Sequence, residues 1–94
     1  MITEGYRFRF RNCIDLGEAH KTLLLSLLAA SGIHGEVRLR MDARYAVDLV
    51  LNVLVIDVST DVGQDVAGIF TAFITREFGP AAFTVRSLGE GVAA

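Results

Sequence analysis

Residues Tyr6-Arg7-Phe8-Arg9-Phe10-Arg11 alternate aromatic and arginine without a break. A β-strand sends successive side chains to opposite faces, so this run predicts a strand with one apolar and one charged side. Burying both sides would strip three guanidinium groups of water without supplying counter-charges, and that desolvation is prohibitive unless each is paired. The strand is therefore expected in a sheet covered on one face only. The rest of the chain has to cover the aromatics and provide neighbours for the arginines.

Asp15 followed three residues later by Glu18 has the capping-box pattern that opens a helix. Leu16, Ala19, Leu23, Leu27 and Ala30 then recur at helical spacing, and the helix is expected to stop near Ser31-Gly32. Glu36-Val37-Arg38-Leu39-Arg40-Met41 alternates again and reads as a second strand, with Val37, Leu39 and Met41 on one side. Between residues 42 and 52 the hairpin turn falls either at Asp42-Ala43-Arg44 or at Val50-Leu51-Asn52, with a bulge between them as a further alternative. Val53 to Val58 is apolar on both faces, as a central strand is. Asp61 and Gln64 repeat the capping pattern before a helix with Val62, Val66, Ile69, Phe70, Phe73 and Ile74 on a broad apolar face, ending at Phe78-Gly79-Pro80. Ala82 to Ser87 alternates as a fourth strand, and the patternless tail, 89–94, is expected to be mobile.

A shift of 46 places lays Asp15 to Glu18 on Asp61 to Gln64, Phe8 and Phe10 on Leu54 and Ile56, and Val37, Leu39 and Arg40 on Phe83, Val85 and Arg86. Two strand-helix-strand halves of this kind describe the α+β ferredoxin-like βαββαβ fold. It is a two-layer sandwich whose four-stranded antiparallel sheet carries two helices on one face, with the first and third strands central. Residues 1–88 are expected to form this single domain.

At 94 residues the chain has room for one core, yet 52% of it is hydrophobic and its mean hydropathy is +0.46. This excess favours burial in an interface, and a homo-oligomer, a dimer first, is expected. The longest apolar runs, such as Leu23 to Ala30, fall short of the roughly 18 residues of a membrane span, so no membrane partner is expected. The first five residues lack a basic region followed by an apolar stretch, so no secretory signal is expected; the single cysteine, Cys13, fits a cytoplasmic setting. With a net charge of −2, nucleic acid is not suggested by overall charge.

If helices cover the aromatic side, the open face is expected to carry Arg7, Arg9, Arg11, Arg38, Arg40 and Arg86 around Val53 and Val55, with Asp57 beyond. Three readings stay open for this face. The arginines are ordinary solvated strand residues; or the face packs on another copy or another protein; or the arginines hold an anionic ligand or RNA. RNA-binding sheets of this kind present aromatics on the open face, whereas here the repeat sends them to the core.

No catalytic, metal or cofactor-binding constellation is legible. Cys13 precedes a helix N-terminus but has no histidine placed beside it, and His20 and His34 lack further ligands at metal-binding spacing. Gly17, Gly63 and Gly68 form no phosphate loop, and glycine in the first turn of each long helix is read as allowing close approach to the preceding strand. The run from Asp15-Leu16-Gly17-Glu18 to Gly32-Ile33-His34 resembles the first helix of ACT-type regulatory domains, with Leu16 where that family commonly has proline and His34 where it has asparagine. The resemblance implies the βαββαβ order, association through sheets or helices, and a ligand at a subunit interface. The sequence thus reads as a small non-enzymatic interaction or regulatory module without cofactors, self-associating or binding a partner through its arginine face, or alternatively holding an anion or nucleic acid there.

Overall fold

The computed structural model describes residues 2–88; the tail expected to be mobile lies outside the described residues. Strand β1 (Gly5–Phe10) leads into helix α1 (Leu16–His34), a short helix α2 (Glu36–Asp42) and strand β2 (Tyr45–Asp48). Strand β3 (Val53–Asp57), helix α3 (Asp61–Phe78), a 3₁₀ turn (Pro80–Ala82) and strand β4 (Phe83–Ser87) complete the described chain. The four strands form one antiparallel sheet in the order β2-β3-β1-β4, so β1 and β3 are central.

The alternation in β1 acts as the sequence predicts. Phe8 pairs with Leu54 and Val85, and Phe8, Phe10, Leu54 and Ile56 are buried in one core with Leu23 of α1 and Val66, Phe70 and Ile74 of α3. The Phe8 and Phe70 rings meet edge to face at 5.0 Å, a geometry that adds attraction beyond area burial. Helices α1 and α3 run antiparallel over this side of the sheet, since Thr22 near the start of α1 bonds Glu77 near the end of α3, while His34 at the end of α1 meets Asp65 near the start of α3.

Glu36 to Met41 is not a strand, and this corrects the sequence expectation. The segment lies in α2, where Arg40 bonds Glu36 at 2.9 Å and Arg38 approaches Asp42 at 3.4 Å. Both pairs are four residues apart, a spacing that joins side chains only on a helix, and Glu, Arg, Leu and Met are all strong helix formers. Six alternating residues were compatible with either period. The second strand is instead Tyr45–Asp48, inside the stretch whose turn the sequence left open. The hairpin turns over residues 49–52, where the Asp48 carboxylate accepts the N–H groups of Val50 and Leu51 at 3.0 and 3.1 Å. Asn52 closes the turn at φ 58°, a left-handed conformation that asparagine tolerates, and its side-chain amide donates to the Phe10 and Arg11 carbonyls.

The helix ends differ in detail from the expectation. Helix α1 continues through Gly32 to His34 and stops at Gly35, whose φ of 89° suits glycine and whose N–H donates to the Ser31 carbonyl. Asp15 caps α1 as expected, accepting from the Gly17 N–H, but Glu18 pairs with Lys21 instead of reaching back to the cap. The cap of α3 is Thr60, which accepts from the Gly63 N–H at 3.0 Å, while Asp61 is already helical. The close approach expected at the helix-opening glycines holds for Gly63, where an added Cβ would stand 2.0 Å from the Asp57 carbonyl oxygen. At Gly17 the nearest group is only the Asp15 carboxylate.

Candidate anion-binding face

The residues facing away from the helices follow from the strand register. Arg7 stands opposite Val55 on β3 and Arg86 on β4, and Arg9 opposite Val53 and Thr84. Four of these residues, Arg7, Arg9, Thr84 and Arg86, line a cavity of about 310 Å³ on the open face. Arg7 also borders a groove of about 530 Å³, whose other walls include Ala46, Asp48, Val53 and Val55 together with Leu49 and Leu51 of the hairpin turn. Arg9 and Thr84 extend the other way into a depression of about 380 Å³ shared with Arg11 and Asn12. Neighbouring spaces share lining residues: Arg7 borders both the first and the second, and Arg9 and Thr84 both the first and the third.

Of the eight residues that the sequence assigned to this face, the structure brings Arg7, Arg9, Arg86, Val53 and Val55 together and sets Arg11 at its end, just past β1. Arg38 and Arg40 do not belong to it. Both lie on α2 because that segment is helical, and both are neutralised there: Arg38 by Asp61 at 2.8 Å and by Asp42, Arg40 by Glu36. Thr84, Ala46, Leu49 and Leu51 are additional members that the sequence reading missed. Thr84 was legible from the alternation of the fourth strand, two residues before Arg86. The other three depended on placing β2, which needed the hairpin turn.

Charge separates these arginines from those of α2. Among the described residues the ion pairs involve Lys21, His34, Arg38 and Arg40, and none involves Arg7, Arg9, Arg11 or Arg86. Arg7 and Arg86 are cross-strand partners of like sign, an arrangement that is destabilising without a counter-ion. Asp48, the exposed carboxylate bordering the apolar groove, is engaged by its own turn. Asp57 is buried and accepts the Ser59 N–H.

The Arg38–Asp61 pair ties α2 to the first turn of α3. Partial desolvation, the largest single influence on Asp61, raises its pKa. The Arg38 charge and hydrogen bond, the Val62 N–H and the His34 charge together outweigh it, and the carboxyl is held below its ordinary value of 3.8.

The other sequence candidates are scattered. Cys13 is exposed in the loop before α1, His20 meets the Tyr45 hydroxyl at 3.2 Å, and His34 contacts Asp65 at 2.6 Å. A further cavity of about 450 Å³ between α3 and the start of β1 is lined, among the described residues, by one carboxylate, Glu4, and by no cation. Two of its polar side chains are already used, since Gln64 donates to the Val58 carbonyl and Thr71 to that of Ala67. Tyr6 lines this helix-side cavity, so the first strand offers no aromatic platform on the open face. No protein-family model, curated protein or solved structure matches the chain.

Proposed function

We propose that this chain is a ferredoxin-like binding module whose open sheet face holds an anion. The central placement of β1 and β3 and the helical cover on one side support the fold reading. The observation that carries the functional reading is the set of three guanidinium groups, Arg7, Arg9 and Arg86, without carboxylate partners among the described residues, around one cavity with the Thr84 hydroxyl. Guanidinium forks match carboxylate and phosphate oxygens in pairs, and a hydroxyl supplies one further donor. An anion there removes the Arg7–Arg86 repulsion and satisfies several donors at once.

RNA is favoured less than a small anion, because Tyr6, Phe8 and Phe10 all sit on the helix side, away from any base that would stack on the sheet. Sheet-to-sheet pairing of two copies is also favoured less. Each copy would bring Arg7, Arg9 and Arg86 into the interface against one exposed carboxylate, Asp48, leaving charge buried without a partner. The test is titration with inorganic phosphate at low ionic strength, followed by calorimetry. Saturable binding that added salt weakens, and that Arg7→Gln with Arg86→Gln abolishes, supports the reading; absence of binding at low salt removes it.

A second reading concerns assembly and rests on a different surface. Leu24, Leu25 and Leu28 of α1 and Phe73 of α3 are exposed on the outer helical face, Leu28 by 68%. Leu25 and Phe73 border a depression of about 330 Å³ with Arg76 and Glu77, and Glu18 and Lys21 stand on the same helix. An apolar centre rimmed by equal numbers of acids and bases suits a second copy of itself under two-fold symmetry, as the arginine face does not. On this reading the chain is a homodimer through its helices. Light scattering on a sizing column tests it: Leu25→Glu with Leu28→Glu yields a monomer if the reading holds, and a dimer that persists in that variant refutes it.

A further inference from the structure

Resting on the anion-binding reading above, we infer that the ligand of the open face is an amphipathic acid, with an anionic head on the arginines and an apolar body along the neighbouring groove. Arg7 is the hinge of the argument, because it lines both the cavity of about 310 Å³ that it shares with Arg9, Thr84 and Arg86 and the groove of about 530 Å³ over β2 and β3. Each volume lies within the range of pockets that hold small organic molecules. The two spaces meet at one side chain, so a single molecule can occupy both.

The groove is apolar for a reason that solvent exposure alone does not give. Its floor is Ala46, Val53 and Val55, and its far wall is Leu49 and Leu51, both exposed although they lie in a turn, where polar residues are usual. Val50 between them is 93% exposed, so the tip presents three consecutive apolar side chains. A bare phosphate or carboxylate has no use for such a surface, whereas a ligand with an acyl or aryl body buries it.

Charge fixes the direction in which that ligand lies. On β2 the groove is bordered by Asp48, whose carboxylate is held in place by the Val50 and Leu51 N–H groups and repels an anionic head. On β1 it is bordered by Arg7, which also lines the cavity of Arg9 and Arg86. The head therefore sits over Arg7, Arg9 and Arg86 and the body runs toward Leu49 and Leu51.

The experiment compares methyl phosphate with decyl phosphate, the latter kept below its micelle-forming concentration, on the whole chain and on a Leu49→Ser, Leu51→Ser double variant. Both leucines are exposed in the turn, so the substitutions leave the core intact. Each methylene withdrawn from water tightens binding about fourfold, so a body that enters the groove by even two methylenes binds more than about tenfold tighter than methyl phosphate. The double variant is expected to lose most of this gain and to keep the methyl phosphate affinity. Equal affinities for the two phosphates overturn the amphipathic ligand while leaving the anion site standing, as does a decyl phosphate advantage that survives in the double variant. Failure of the unaltered chain to bind either compound removes the anion site itself, and the inference with it.

Discussion

Replacing Arg86 by glutamine is expected to stabilise the folded protein without an anion and to destabilise it, relative to the unaltered chain, with one. Arg86 stands directly across the ladder from Arg7, and both line the cavity that Arg9 also borders. A like-charged cross-strand pair costs about 0.2–1 kcal/mol. At about 4–8 °C per kcal/mol for a domain of this size, its removal raises Tm by roughly 1–8 °C. The rise belongs to low ionic strength, since at 1 M salt the screening length falls to about 3 Å and the two proteins should converge. Bound anion acts oppositely on the unaltered chain, stabilising it by RT ln(1 + [L]/Kd). That term overtakes a repulsion of about 1 kcal/mol once free phosphate exceeds roughly four to five times its Kd. Thermal unfolding followed by circular dichroism, at low salt with increasing phosphate, should show the two Tm values crossing. An Arg86→Gln protein less stable than the parent in anion-free, low-salt buffer would refute the reasoning, because it would mean that Arg86 already has a partner.

The fold makes three further predictions. Phe8→Ala empties the centre of the core, where Phe8 is fully buried against Phe70, and should cost about 3–5 kcal/mol in urea unfolding. Gly63→Ala places a methyl group against the Asp57 carbonyl and should cost about 1–3 kcal/mol, whereas Gly68→Ala, which meets nothing within 4 Å, should be neutral or stabilising through helix propensity. Arg38→Gln removes the partner that lowers the Asp61 pKa; because a depressed carboxylate stabilises the fold above its unfolded value and loses that contribution as pH falls through the folded value, parent and variant should differ at neutral pH and converge below about pH 3.8 in pH-dependent unfolding.

What the sequence disclosed and what it withheld have one physical cause. Periodicity was decisive where long-range burial and local spacing agreed. The aromatic-arginine alternation of β1, the apolar faces of α1 and α3 and the alternation of β4 all describe surfaces that one core has to cover. The match of Phe8 and Phe10 to Leu54 and Ile56 under the 46-place shift is real in the structure, where all four are buried. The same shift misled at Glu36 to Met41, because alternation over six residues does not exclude a helix and the four-residue spacing of Glu36–Arg40 and Arg38–Asp42 suits one. Reading that helix as a strand placed Arg38 and Arg40 on the candidate face and hid the groove beside it. Tyr45–Asp48 is too short to announce itself by pattern; it is set by pairing with β3, from Tyr45 opposite Ile56 to Asp48 opposite Val53. The arginine cluster was legible in part, and its lack of carboxylate partners among the described residues needed the register.

The most direct test is a phosphate titration of the isotopically labelled protein at low ionic strength, with the amide resonances followed one residue at a time. The anion-binding account predicts saturable shifts concentrated at Arg7, Arg9, Thr84 and Arg86, reversed by salt and absent when Arg7 and Arg86 are both glutamine. Shifts that fail to saturate, or that gather on α2 around Arg38 and Arg40, would contradict it.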